Sequence, residues 1–245
     1  FDFSLPGWQS IATFPSSILF RADGISFPLA LSVAALTLSI LLTVVTHPVY
    51  VNSLAWAGTL TLGGIGILVV TADNPLTLLL AWALLDITEL VTQLTSVEGA
   101  SNSEKVVISF STRALGIGLL LWAGILSASS GTALDFQSMS AASGIYLVIA
   151  AGLRLGVFPL HLPYSADSVL RRGFGTALRL ISSIASLAVL GRIPAGSLTF
   201  TPFLMAFALV AAIYGGWMWL RAPDELNARP YWVIGMAALS IISAL

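Results

Sequence analysis

Six ionisable residues fall inside stretches that are otherwise apolar. Asp86 and Glu89 lie in LLAWALLDITELVTQ and Arg113 in VVISFSTRALGIGLLL. Arg154 and His161 lie in GLRLGVFPLHLPYSAD, and Arg179 in FGTALRLISSIA. The two acids are three apart, so a helix places them on one face. A charge at the centre of a membrane-spanning helix costs about 2.5–3.5 kcal/mol even on insertion scales. Two acids and three arginines left facing lipid would together cost on the order of 10 kcal/mol. They must face one another, or water. Glu89 and Arg113 also stand near enough to the ends of their segments to reach toward the interface.

Two chemistries fit such a set. The charges could be static ion pairs that hold helices together. Alternatively, Asp86 or Glu89 could take up and release a proton, tuned by a neighbouring arginine. Arginine keeps its proton at working pH, so it can modulate a path but not carry the proton. Histidine can carry it, which makes His161 a candidate relay. Between Arg154 and His161 stands Pro159, which within a span removes a backbone hydrogen bond and is expected to break the helix. Freed backbone at membrane depth is tolerated where it is buried in protein or meets water, and transporters place such breaks at ion sites.

These side chains need apolar helices to hold them. The chain has 245 residues, 57% hydrophobic and only 9% charged, with a mean hydropathy of +0.96. An average soluble domain is about 25% charged. A soluble fold of this size could not hide so much apolar surface, so the expected fold is an all-α transmembrane bundle. Eight segments are candidate spans, roughly 27–46, 50–71, 75–96, 104–127, 142–160, 174–192, 201–220 and 231–245. The last is short for a span, and the chain opens on Phe1 without a basic leader. Both ends are therefore expected to continue into a larger product. Residues 1–26, with Pro6, Trp8 and Pro15, read as an interfacial segment, and 27–245 as the membrane bundle. Trp8, Trp56, Trp217, Trp219 and Trp232 suit interface anchors.

The connections after the first, third, fifth and seventh segments hold Lys105, Arg171, Arg172, Arg221 and Arg229, against Arg21 and Arg192 on the other side. That bias predicts an N-terminus on the non-cytoplasmic side of a bacterial or organellar inner membrane. The net charge of −1 gives no reason to expect nucleic acid. With no cysteine, thiolate metal sites and iron–sulfur clusters are excluded. His47 and His161 lie too far apart to form a local metal motif. No nicotinamide fingerprint or phosphate loop is present, so no cofactor is expected on this chain. An enzyme acting on lipid or prenyl substrates would need an Asp-rich diphosphate motif or a Ser–His pair, and neither is found.

Three stretches resemble the antiporter-like proton-translocating subunits of the NADH dehydrogenase (complex I) membrane arm, a family that includes Mrp-type cation/proton antiporter and membrane-bound hydrogenase subunits. RADGISFPLALSVAALTLSILL is similar to the D-G-[LI]-S-x-P opening of the family's third helix. ADNPLTLLLAWALLDITELVTQL resembles its fifth helix, built around N-L-x-x-x-x-x-W-E. GLRLGVFPLHLPYSAD resembles the seventh helix and its exit, K-x-x-x-x-P-x-H-x-W-L-P-x-A. EKVVISFSTRALGIGLLL suits the intervening sixth, and the likeness runs over roughly 20–245.

The resemblance implies inverted five-helix repeats, each with a broken helix, around a hydrated polar axis. One complete repeat would cover about 50–192, and 201–245 would begin a second. It also implies partner membrane subunits in a large complex, with redox chemistry on other chains. Departures from the pattern bear on mechanism. The family's glutamate after Trp82 is Ala83 here, its seventh-helix lysine falls on Arg154, and the eighth-helix lysine or histidine falls near Arg179. His161 matches the family histidine. Either the acid has moved one turn to Asp86, with Arg154 as a fixed counter-charge, or this half-channel is inert. A non-conducting scaffold, a sodium/proton antiporter and an inorganic-carbon uptake module with a soluble zinc partner remain alternatives on the same fold.

Overall fold

Asp23 opens the first helix with a reciprocal cap. Its carboxylate accepts the Ser26 backbone N–H at 2.7 Å and that of Ile25 at 3.0 Å, while its own N–H donates to Ser26 Oγ at 2.7 Å. Helix termini leave backbone donors without partners, and this arrangement satisfies them. Asn74 does the same at a later helix start, accepting from the backbone and hydroxyl of Thr77 at 2.8 and 2.9 Å. Each cap lies just ahead of an apolar run, and so sets where that run becomes helical.

The computed structural model describes residues 2–4, 17–46, 53–96, 100–131, 134–136, 139–162, 172–193 and 200–245. Among these are eight helices: α1 (Ser26–Thr46), α2 (Ser53–Thr71), α3 (Pro75–Ser96), α4 (Ala100–Ser129), α5 (Ala141–Arg154), α6 (Arg172–Leu190), α7 (Thr201–Arg221) and α8 (Glu225–Ala244). Trp8, His47 and Arg171 lie outside the described residues. Four helices are long and apolar enough to cross a membrane, over Ser26–Thr43, Pro75–Thr95, Ser103–Ser129 and Thr201–Arg221. Trp56–Thr71, Ala141–Arg154 and Gly175–Leu190 are shorter apolar helices. Leu31, Leu38, Ile87, Val91, Ile213 and Leu220 are all exposed large apolar side chains. Such a surface has lipid as its solvent. The chain is an integral membrane protein, an all-α bundle.

Three elements differ from the sequence expectation: α5, which stops at Arg154 and not near residue 160, the opening segment, and the start of α8. The opening segment contains a strand pair, β1 (Asp2–Ser4) antiparallel to β2 (Leu19–Arg21), with Phe3 opposite Phe20. Helix α8 begins at Glu225, within the stretch read as a connection. Asp224 caps it by accepting the Asn227 N–H at 2.8 Å, and Glu225 in the first turn suits the positive end of the helix.

One end of the bundle is clasped by charges. Arg192, just past α6, donates to Asp73 at 3.1 Å and to the Val70 carbonyl at 3.3 Å, and lies 3.6 Å from Asp23. Arg21 reaches Asp73 at 3.3 Å and Asp2 at 2.9 Å. The start of α1, the α2–α3 turn and the end of α6 therefore share this end. Partial burial pushes the Asp23 carboxyl up, but hydrogen bonds from Ser26 and Ile25 and the charge of Arg192 leave it below the usual carboxylate range. A depressed folded-state pKa contributes stability that is complete above the unfolded value of about 3.9. That contribution is lost as pH falls through the lower folded value. Asp23→Ala is expected to cost about 1 kcal/mol. In thermal melts from neutral pH downward, the gap between wild type and variant should close at the acid end.

Candidate functional site

Helix α5 is built to stop inside the bundle. Ser140 caps its start, accepting the Ser143 N–H at 3.2 Å. Fourteen residues later it ends, at about 1.5 Å per residue far short of a roughly 30 Å hydrocarbon core. The break falls at Gly156, not at Pro159. Gly156 has φ +76°, a left-handed conformation that costs glycine nothing. The Val157 N–H donates back to the Gly152 carbonyl at 2.8 Å and the Gly156 N–H to Leu153 at 3.2 Å, the bond pair of a Schellman termination. Pro159 lies downstream in the non-helical turn, where it has no helix left to break.

This termination leaves Arg154 in the last turn of α5, where the negative end of the helix favours a cation. Its guanidinium donates from Nη1 and Nη2 to the two carboxylate oxygens of Asp86, at 2.5 and 2.7 Å. Asp86 lies about midway along the 22-residue α3. Arg113 of α4 forms an ion pair with Glu89, and its Nε lies 4.0 Å from Asp86 Oδ1. None of the four side chains is more than 1% exposed. They line up as Glu89, Arg113, Asp86 and Arg154, with charges balanced. Glu89 and Arg113 thus do not reach for the interface; pairing inside the bundle satisfies them instead.

Trp82, one turn before Asp86 on α3, is fully buried, and its ring lies 4.4 Å from the Arg154 guanidinium carbon. A desolvated cation over an indole face is held by about 2 kcal/mol. The sequence reading used Trp82 only as a landmark of the motif and missed this contact; spacing within one helix carries no signal for a partner on another. Gly116 of α4 provides the space. A Cβ there would stand 3.1 Å from Arg154 Cγ and 3.3 Å from the Ala150 carbonyl, whereas one at Gly118 would meet nothing within 4 Å. Gly116→Val is expected to displace the arginine stem and lower the melting temperature in detergent by several degrees, with Gly118→Val near neutral.

The non-helical turn after α5 also places His161. Its backbone N–H donates to the Gly156 carbonyl at 3.0 Å, and its Nδ1 lies 2.7 Å from the Pro159 carbonyl oxygen. A carbonyl only accepts, so Nδ1 carries the hydrogen in this arrangement. The enclosed Nε2 has no hydrogen-bond partner among the described residues. Arg179, buried on α6, lines a cavity of about 340 Å³ together with residues of α7 and α8. Among the described residues no cluster of His, Cys, Asp or Glu could hold a metal ion.

No family model and no curated protein matches the chain. A solved chain of the membrane-bound sulfane sulfur reductase, an archaeal respiratory membrane complex, shares its fold with a TM-score of 0.79 at 18% identity. The match covers 100% of this chain and 43% of that one, so the chain spans less than half of that neighbour's length.

Proposed function

We propose that this chain is an antiporter-like membrane subunit of a proton- or cation-translocating respiratory complex of the NADH dehydrogenase type. The observation that carries the reading is the Asp86–Arg154 pair, held halfway through the bundle at the point where α5 stops. A buried carboxylate there is a proton site whose occupancy depends on how tightly its arginine is held. Arg154 acts as the fixed counter-charge. When the turn after α5 shifts, the pair loosens and Asp86 gains a proton; when the pair re-forms, the proton leaves. His161 Nε2 accepts that proton and passes it along the unwound segment. Trp82 Nε1 and Arg154 Nε are buried donors without protein partners among the described residues, the kind of group internal water satisfies. Other membrane subunits pack around the bundle, electrons travel on partner chains, and the N-terminal side faces away from the cytoplasm.

The test is proton uptake by vesicles carrying the assembled complex, with Asp86→Asn against wild type. Asparagine keeps a hydrogen-bond acceptor for Arg154 but cannot titrate. Loss of uptake with the complex still assembled supports the reading; unchanged uptake removes Asp86 as the carrier. A second reading has its own support. The four charges already neutralise one another, and both cations are arginines, which suits a non-conducting scaffold derived from the same fold. In that case Asp86→Asn alters stability and leaves uptake untouched.

A further inference from the structure

The cavity beside Arg179 lies at the end of the bundle opposite the charged clasp, where α6 and α8 begin and α7 ends. One side of it is polar: Thr176, Arg179, Glu225 and Arg229. Its other walls are Leu180, Val233 and the rings of Trp219 and Trp232. Arg229 donates to Thr176 Oγ1 and to Glu225 Oε1, both at 2.8 Å. Glu225 turns outward, with 82% of its side chain exposed, while Arg229 is 29% exposed and Arg179 only 3%. Among the described lining residues two arginines stand against one acid, Glu225, which is largely exposed and screened by water, so the described lining carries a net positive charge. Trp219 and Trp232 are 49% and 44% exposed, so the mouth opens where the apolar surface of α7 meets the charged turn to α8. Tryptophans at that level mark the boundary between acyl chains and headgroups.

A cavity cationic at one end and aromatic at a mouth that opens to acyl chains selects an amphiphile with one anionic group. We propose that it binds an anionic phospholipid, with the phosphate at Arg229 and Arg179 and the chains leaving across Trp219 and Trp232. Basic pockets between membrane helices take such headgroups. This assignment does not depend on whether the chain conducts protons.

The test uses the full chain in zwitterionic detergent, relipidated with phosphatidylglycerol or phosphatidylcholine whose acyl chains carry bromine, which quenches nearby tryptophan. Half-maximal quenching should need about fivefold less of the anionic lipid per cation engaged. Trp219→Phe/Trp232→Phe should abolish the selective component. Arg229→Gln should remove the preference while quenching by phosphatidylcholine persists, which reports an intact fold; Arg229→Lys should retain it. Excess inorganic phosphate should not displace the lipid. Equal quenching by the two lipids overturns the proposal, as expected if a helix of another protein fills the cavity. So does a preference that survives loss of both tryptophans or of the Arg229 charge, or one that free phosphate abolishes.

Discussion

Arg154→Met is expected to destabilise the bundle by about 3–5 kcal/mol, because it leaves the Asp86 carboxylate buried without its partner. The loss should exceed that of any surface substitution, which stays within about 0.5 kcal/mol. Adding Asp86→Leu should return most of the stability, since removing both charges removes the desolvation cost as well. The measurement is a double-mutant cycle read by unfolding in detergent mixtures, with a coupling energy of several kcal/mol expected between the two positions. Additive losses would mean that the bidentate contact does not exist in the membrane. Arg113 complicates the cycle in a defined way: its Nε lies 4.0 Å from Asp86, so part of the orphaned charge in Arg154→Met is compensated. Arg113→Met in the Arg154→Met background should therefore cost more than in wild type.

Arg154→Lys should accelerate transport, the opposite of Asp86→Asn. A buried lysine can give up its proton as its pKa moves, whereas arginine holds its charge. With lysine facing Asp86, the pair can exist with one proton fewer, and the barrier to charging and discharging the carboxylate falls. Proton uptake should rise by about tenfold for each pKa unit by which the counter-charge becomes labile, and its pH profile should shift relative to that of the wild type. The cost is the second hydrogen bond of the fork, so some loss of stability accompanies the gain. If uptake is unchanged while stability falls, the pair is structural and the scaffold reading stands.

Much of the architecture could be read from hydropathy. The apolar runs at roughly 27–46, 75–96 and 201–220 lie close to the observed limits of α1, α3 and α7, because lipid demands such runs whatever their partners are. That the buried charges face one another was legible from the cost of burying any of them alone, whereas the choice of Arg154 as the partner of Asp86 came from the family resemblance. What stayed hidden depends on backbone geometry or on contacts between helices. Pro159 drew attention as the breaker, yet the helix ends at Gly156 because a left-handed residue there closes two hydrogen bonds before the proline is reached. The start of α8 depends on one side-chain cap at Asp224, a signal weaker than the charges around it. The β1–β2 pair joins residues too far apart in sequence to be read from any local pattern. Trp82 over Arg154 belongs with these, as a contact made by packing alone.

The depth of Asp86 on α3 has an electrical consequence for the proton path proposed above. Asp86 sits about midway along its own helix, so a proton reaching it from either face traverses about half of the transmembrane voltage. Moving a full charge across 100 mV is worth about 2.3 kcal/mol, and protonating Asp86 therefore stores or releases roughly half of that. Any cycle through this carboxylate divides into two half-steps of nearly equal electrogenicity, one on each side of the point where Arg154 waits.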